Sequence, residues 1–247
     1  MPAQFNQGRP GKTLITMQMK PVFNDPPRSE ADLLQRVNNL SGKTFQQVAR
    51  EIGITVPPDQ KYAKGWVGEV SEIYLGATAA SLPEPDFQYI NIELKTIPIG
   101  RNGAPRESTY VCTVPLVNIV DLHWEDSPVR RKLSRVLWLP VEGDHSISFA
   151  HRRFGSAFIW SPDAEEESIL RNDWEELMEM VSMGTLDGIS SFHGQYLQIR
   201  PKAANAGALG KAFDNDGVAM ETLPRGFYLR ALFTKKLLAL YGSRFNV

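Results

Sequence analysis

Pro85-Asp86-Phe87-Gln88-Tyr89-Ile90-Asn91-Ile92-Glu93-Leu94-Lys95 places an acid, a short spacer and a Glu-x-Lys triplet in one run. Residues 90–95 alternate apolar and polar, which predicts a strand. Side chains two apart on a strand share a face. Glu93 and Lys95 then point one way, and Ile92 and Leu94 point into a core. Asp86 follows Pro85, where a turn or preceding strand folds its carboxylate back towards Glu93. Asp59-Gln60-Lys61 has similar spacing, but it follows Pro57-Pro58 and lacks strand alternation.

These residue types suit phosphodiester hydrolysis, which needs charge neutralised on phosphate oxygens and a water made nucleophilic. Mg²⁺ prefers oxygen ligands and keeps several waters, so one or two carboxylates suffice. A bound metal lowers the pKa of its water and stabilises developing charge. A lysine beside it orients that water, or deprotonates it if its own pKa is depressed.

Composition sets the bounds. A chain of 247 residues with 42% hydrophobic and 22% charged residues is an ordinary globular length and mix, enough for one large domain or two small ones. The net charge of −1 means that any nucleic-acid surface is a local patch. The single cysteine, Cys112, excludes an intrachain disulfide and a multi-cysteine zinc site. It lies in the apolar run Tyr110-Val111-Cys112-Thr113-Val114, which predicts a buried structural thiol. The four histidines, His123, His145, His151 and His193, show no metal-ligand spacing. No apolar run of about 18 residues and no signal peptide is visible, so the expected location is the cytoplasm, with no membrane association.

Outward from the central run, residues 1–27 are rich in Pro, Gly, Gln and Asn without periodicity and predict a flexible tail. Residues 28–247 then form one domain. Ser29 predicts a helix N-cap, with a stripe of Leu33, Leu34 and Val37 that stops at Gly42. Further helices are predicted over Thr44–Ile52, closed by Gly53, and over Gly65–Leu75, Asp163–Met183, Ala203–Phe213 and Ala231–Tyr241. On the Gly65–Leu75 helix, Glu69 and Glu72 lie one turn apart, and that helix runs directly into the Asp86 segment. Strands are predicted at Ser108–Leu116, paired with the catalytic strand through the Gly100-Arg101-Asn102-Gly103 turn, and at Val136–Val141 and Tyr196–Ile199. Helices and strands mix without βαβ alternation, so the fold class is mixed α/β (α+β).

Two C-terminal stretches point to DNA. Arg200-Pro201-Lys202-Ala203-Ala204-Asn205 sets two cations at a predicted strand-to-helix junction, which favours a phosphate. Pro224-Arg225-Gly226-Phe227-Tyr228-Leu229-Arg230 reads as a Gly-bearing loop that interleaves cations with aromatics. Arg225 and Tyr228 there have the chemistry to read base edges.

Several blocks in order give the chain a family resemblance. They are Lys64-Gly65-Trp66-Val67-Gly68 with Glu72-Ile73-Tyr74-Leu75-Gly76, Pro83-Glu84-Pro85-Asp86-Phe87, Glu93-Leu94-Lys95-Thr96-Ile97-Pro98, Val136-Leu137-Trp138-Leu139-Pro140-Val141-Glu142-Gly143, Asp173-Trp174-Glu175-Glu176-Leu177-Met178, Gly194 to Ala206 and Leu223 to Leu229. With these the chain resembles the MutH family of methyl-directed mismatch-repair endonucleases, members of the restriction-endonuclease-like superfamily. The resemblance implies a mixed sheet flanked by helices, in two lobes around a DNA cleft. It implies nicking of the unmethylated strand at hemimethylated GATC sites with Mg²⁺ as cofactor. It assigns Asp86, Glu93 and the Leu94 carbonyl to the metal, Lys95 to the attacking water, and Glu72 and Lys132 to the active site. Lys64, Arg200, Lys202 and Tyr228 match DNA-proximal positions. It also implies activation by the ATPase MutL, with MutS detecting the mismatch, and the absence of a dimerisation segment suggests a monomer. Two alternatives stand beside this reading: a stand-alone GATC restriction endonuclease cutting both strands, and a DNA-binding module with a dead active site.

Overall fold

The computed structural model describes residues 22, 23, 25–58, 63, 65–79, 82–202 and 209–242. Lys64, most of the predicted N-terminal tail and the Asp59-Gln60-Lys61 triplet lie outside them. The order begins α1 (Glu30–Leu40), α2 (Phe45–Ile52), α3 (Trp66–Leu75), β1 (Glu93–Ile99), β2 (Thr109–Thr113), α4 (Pro128–Leu133), β3 (Val136–Glu142) and β4 (Phe158–Trp160). It continues with α5 (Ala164–Ser182), β5 (Leu197–Pro201), β6 (Gly210–Phe213), β7 (Ala219–Thr222), β8 (Arg225–Leu229) and α6 (Ala231–Tyr241).

Helix ends follow the caps in the sequence. The Ser29 hydroxyl accepts the Asp32 amide, and Thr44 and Gln47 form a reciprocal capping box that starts α2. Gly53 closes α2 at φ 74°, a left-handed conformation that favours glycine. Asp163 and Glu166 form a second capping box at the start of α5. The buried stripe of α5 uses Leu170, with Trp174, Leu177, Met178 and Val181; Ile169 is only partly buried beside it.

Three sheets form. β1, β3 and β4 make a mixed sheet, parallel between β1 and β3 and antiparallel between β3 and β4. β2, β8 and β5 make an antiparallel sheet, and β6 and β7 form a separate ribbon. The predicted hairpin between β1 and β2 does not form. The Gly100–Gly103 turn closes on itself and Ile99 bridges Pro105, but β2 leaves to pair with β8. Nor is the segment over Ala203–Phe213 a helix where it is described, since residues 210–213 are the strand β6. Lys211 and Phe213 there alternate with the buried Ala212, the period of a strand.

Two hydrophobic clusters lie on opposite faces of the first sheet. Leu94, Leu137, Leu139 and Val141 join α1–α3 in one, and Ile97, Ile99, Val136 and Trp138 join α5, α6 and the second sheet in the other. β3 is therefore buried on both faces and reads as a continuous apolar run.

Candidate active site

β1 starts at Glu93, not at residue 90. Residues 88–90 form a 3₁₀ turn and Asn91 takes φ 54°, so the apparent alternation before Glu93 is a tight loop. That loop brings Asp86 back. Phe87 and Ile92 pair across it, and the Leu94 amide donates to Asp86 Oδ2 at 2.8 Å. The Asp86 carbonyl accepts the amides of Thr78 and Ala79, which fixes the loop to the end of α3. Glu93 and Lys95 share a face as expected, with Lys95 Nζ 2.5 Å from Glu93 Oε1. That face continues into the core as Ile97 and Ile99, so the ion pair sits at the N-terminal end of an anchored strand.

Lys132 completes the group from α4. Ser127 caps this helix and Pro128 opens it, while Val129 and Leu133 bury one side. Lys132 Nζ donates to both Glu93 oxygens at 2.9 Å and to the Glu84 carbonyl at 3.3 Å. Glu72 faces the cluster from α3. Burial pushes its carboxyl up to about 7, helped by the negative charge of Asp86. Burial also raises Asp86, with Glu93 adding to the effect and the Leu94 amide opposing it. For Lys95, burial favours the neutral amine, but Glu93 outweighs it and the value stays above the ordinary one. The Glu93 carboxylate thus favours the ammonium form of Lys95 in this arrangement.

Glu72 and Asp86 are both raised, by burial first and by neighbouring carboxylates second. Among the described residues no ready cage of three or more His, Cys, Asp or Glu exists. Mg²⁺ does not need one, because one or two carboxylates with waters hold it. The all-oxygen donors at Asp86 and Glu93 fit such an ion. The Glu93 amide points to Arg135 on the β3 side, and the next residue, Leu94, points its amide the other way, to Asp86. An extended residue sends its carbonyl to the same side as its amide, so the Leu94 carbonyl faces the Asp86 side as well.

A second polar group lies on the β2-β8-β5 sheet. Phe227, Leu229, Leu197 and Ile199 take its core face, leaving Tyr110, Tyr228, Gln198 and Arg200 on the other. A bulge at Val111 lets Val111 and Cys112 both turn inward while Tyr110 stays on the polar face. Lys202 donates to the Tyr110 hydroxyl at 3.1 Å and lies over its ring, and Arg200 lies 5.9 Å from the Tyr228 ring centre. Gln198 and Arg200 both reach Ser108. Burial raises the Tyr228 phenol, with Tyr110 beside it contributing, so its hydroxyl remains a donor at neutral pH. The entry to β5 is set by Asp173 of α5, whose carboxylate accepts the amides of Gln195, Tyr196 and Leu197 at 2.7, 2.6 and 2.7 Å.

The structure thus brings together Asp86, Glu93, Lys95, Glu72 and Lys132, and separately Arg200, Lys202 and Tyr228. Arg225 is not with them. Residues 224–230 are mostly the central strand β8, not a loop, and Arg225 falls on the opposite face from Tyr228, paired with Asp187 at 3.1 Å. Tyr110 and Gln198 share the polar face with Arg200 and Tyr228, and Asp173 fixes the start of β5, though the sequence reading names none of the three as a candidate. The signal for Tyr110 was the strand alternation of residues 108–113, obscured by the bulge. Cys112 is buried, and burial raises its thiol to about 11, as expected of a structural cysteine. Among the described residues no helix is long and apolar enough to cross a membrane.

A family model described as "DNA mismatch repair enzyme MutH" matches residues 75–173, which include Asp86, Glu93, Lys95 and Lys132. Similarity to named proteins extends further. The DNA mismatch repair protein MutH of Vibrio parahaemolyticus serotype O3:K6 is 56% identical over 212 residues, 86% of this chain and 94% of that protein. Its counterpart from Vibrio campbellii is 54% identical over 212 residues, with the same coverage. That of Shewanella sp. (strain MR-4) is 50% identical over 220 residues, 89% of this chain and 98% of that protein. At such identity over nearly the whole of these proteins, and with the acidic and lysine cluster in place, the chain belongs to the MutH family of DNA mismatch repair enzymes.

Proposed function

We propose that the protein is a Mg²⁺-dependent endonuclease of methyl-directed mismatch repair. It nicks the unmethylated strand at hemimethylated GATC sites once the ATPase MutL, acting after MutS, switches it on. The observation that carries the reading is the convergence of Asp86, Glu93, Lys95 and Lys132 at one end of β1. In this reading residues 28–247 form one domain of two lobes around duplex DNA, acting as a monomer in the cytoplasm.

Asp86, Glu93 and the Leu94 carbonyl would hold Mg²⁺, which supplies a water of lowered pKa and neutralises charge developing on the phosphate. Lys95, charged and fixed by Glu93, orients the attacking water and stabilises the phosphate oxygens. Glu72, with a value near neutrality, accepts a proton at the edge of the group. Arg200 and Tyr228 face the bases and select the site, and Lys202 approaches the backbone phosphates.

The test is a supercoiled plasmid carrying GATC sites, incubated with protein and Mg²⁺, with and without the ATPase partner. Nicked circles that form mainly with the partner are expected. Linear product without it would mean a restriction enzyme, and binding without cleavage would mean a dead site.

A further inference from the structure

Glu93 is held twice. Lys95 Nζ lies 2.5 Å from Oε1, and Lys132 Nζ lies 2.9 Å from each oxygen. Only 3% of the Glu93 side chain is exposed, so water does little to screen these contacts. The two lysines are not equivalent. Lys95 sits two residues along the same strand and is fixed with Glu93 by the β1–β3 pairing. Lys132 arrives from a six-residue helix on another segment, and its further bond to the Glu84 carbonyl is long, at 3.3 Å. Its departure from Glu93 would leave the β1–β3 pairing intact.

We propose that Lys132 is the resting counter-ion of Glu93: it spans the carboxylate that a divalent cation must take, and so keeps the metal site weak in the DNA-free protein. This rests on the reading of Asp86 and Glu93 as the metal carboxylates. A lysine that merely supported the site would have the opposite signature, because removing it would loosen Glu93 and weaken metal binding. The sign of the change therefore decides.

The experiment is Mn²⁺ binding by isothermal titration calorimetry on the full chain without DNA. It compares wild type with Lys132→Met, Lys132→Gln, Arg131→Met and Asp86→Asn. Lys132→Gln keeps a donor for the Glu84 carbonyl, and both Lys132 variants leave Glu93 paired with Lys95, so the fold is retained. Both should bind Mn²⁺ about tenfold tighter, the effect of removing one competing charge at contact distance. Arg131→Met drops the same charge one residue away, but Arg131 faces the Glu84 carboxylate at 3.6 Å and should leave the affinity within about twofold. Unchanged or weaker binding in the Lys132 variants, or an equal gain in Arg131→Met, overturns the proposal. Asp86→Asn binding Mn²⁺ as wild type does would overturn the metal-site reading itself, whatever the Lys132 variants do.

Discussion

Tyr110 and Tyr228 meet edge to face at 5.3 Å across β2 and β8, and Gly226 is the floor on which they close. A Cβ at position 226 would stand 2.8 Å from the Tyr110 ring and 3.0 Å from the Tyr228 ring. Gly226→Ala should therefore spread the two rings at a stability cost of about 1–3 kcal/mol. Discrimination between hemimethylated and fully methylated GATC plasmids should fall in nicking assays with the ATPase partner. Unaltered discrimination would detach this ring pair from site selection.

Arg200 and Arg225 should separate by function. Arg200→Ala removes an exposed cation from the Tyr228 face and should relax sequence preference, a contact of about 1–3 kcal/mol if it reads a base. Arg225→Ala removes a pair to an exposed Asp187 on the other face and should change stability by about 1 kcal/mol or less, with site choice intact. Cleavage of a plasmid series with altered GATC sites distinguishes the two. A shift in preference from the Arg225 change would show that β8 presents both faces to DNA.

Lys95→Ala should reduce nicking on the order of a thousandfold, the scale of losing a group placed for developing charge. Glu93 remains paired with Lys132, so duplex affinity in a filter or anisotropy assay should stay within about twofold of wild type. A variant that still cuts at a comparable rate would remove the lysine from the mechanism.

Glu72 makes stability depend on pH. Its folded value near 7 lies above the ordinary 4.5, so the folded chain keeps a proton that the unfolded chain has released. Stability should fall as pH rises between those two values and then level off. In EDTA, Glu72→Gln should flatten that slope and be more stable at pH 8 by about 1–3 kcal/mol. Urea midpoints at pH 5 and pH 8 provide the check, and an unchanged slope in the variant would rule Glu72 out as its source.

The sequence carried the local features well. Caps at Ser29, Thr44 and Asp163 and the stop at Gly53 depend on neighbours three or four residues away, so α1, α2 and α5 were readable. The pairing of Glu93 with Lys95 followed from strand period alone. What escaped were relationships between distant segments. Nothing within residues 108–116 shows that β2 pairs with β8 and not with β1, because pairing is chosen by the core. Residues 224–230 looked like a loop because Gly226 suggests one, yet the same glycine is what a crowded aromatic face requires. Lys132 came only through family resemblance. Its helix, capped by Ser127 and opened by Pro128, is absent from the predicted elements, and so is its reach to Glu93, 39 residues away in sequence.

β3 serves two masters along one backbone. Leu137, Leu139 and Val141 belong to the helical cluster, while Val136 and Trp138 belong to the cluster beneath the Tyr110–Tyr228 sheet. Melting either cluster strips one side of that strand and leaves the other side without a partner. The half that holds Asp86 and the half that carries Arg200 should thus denature together in one cooperative step, and neither should persist as an autonomous fragment when the chain is cut between them.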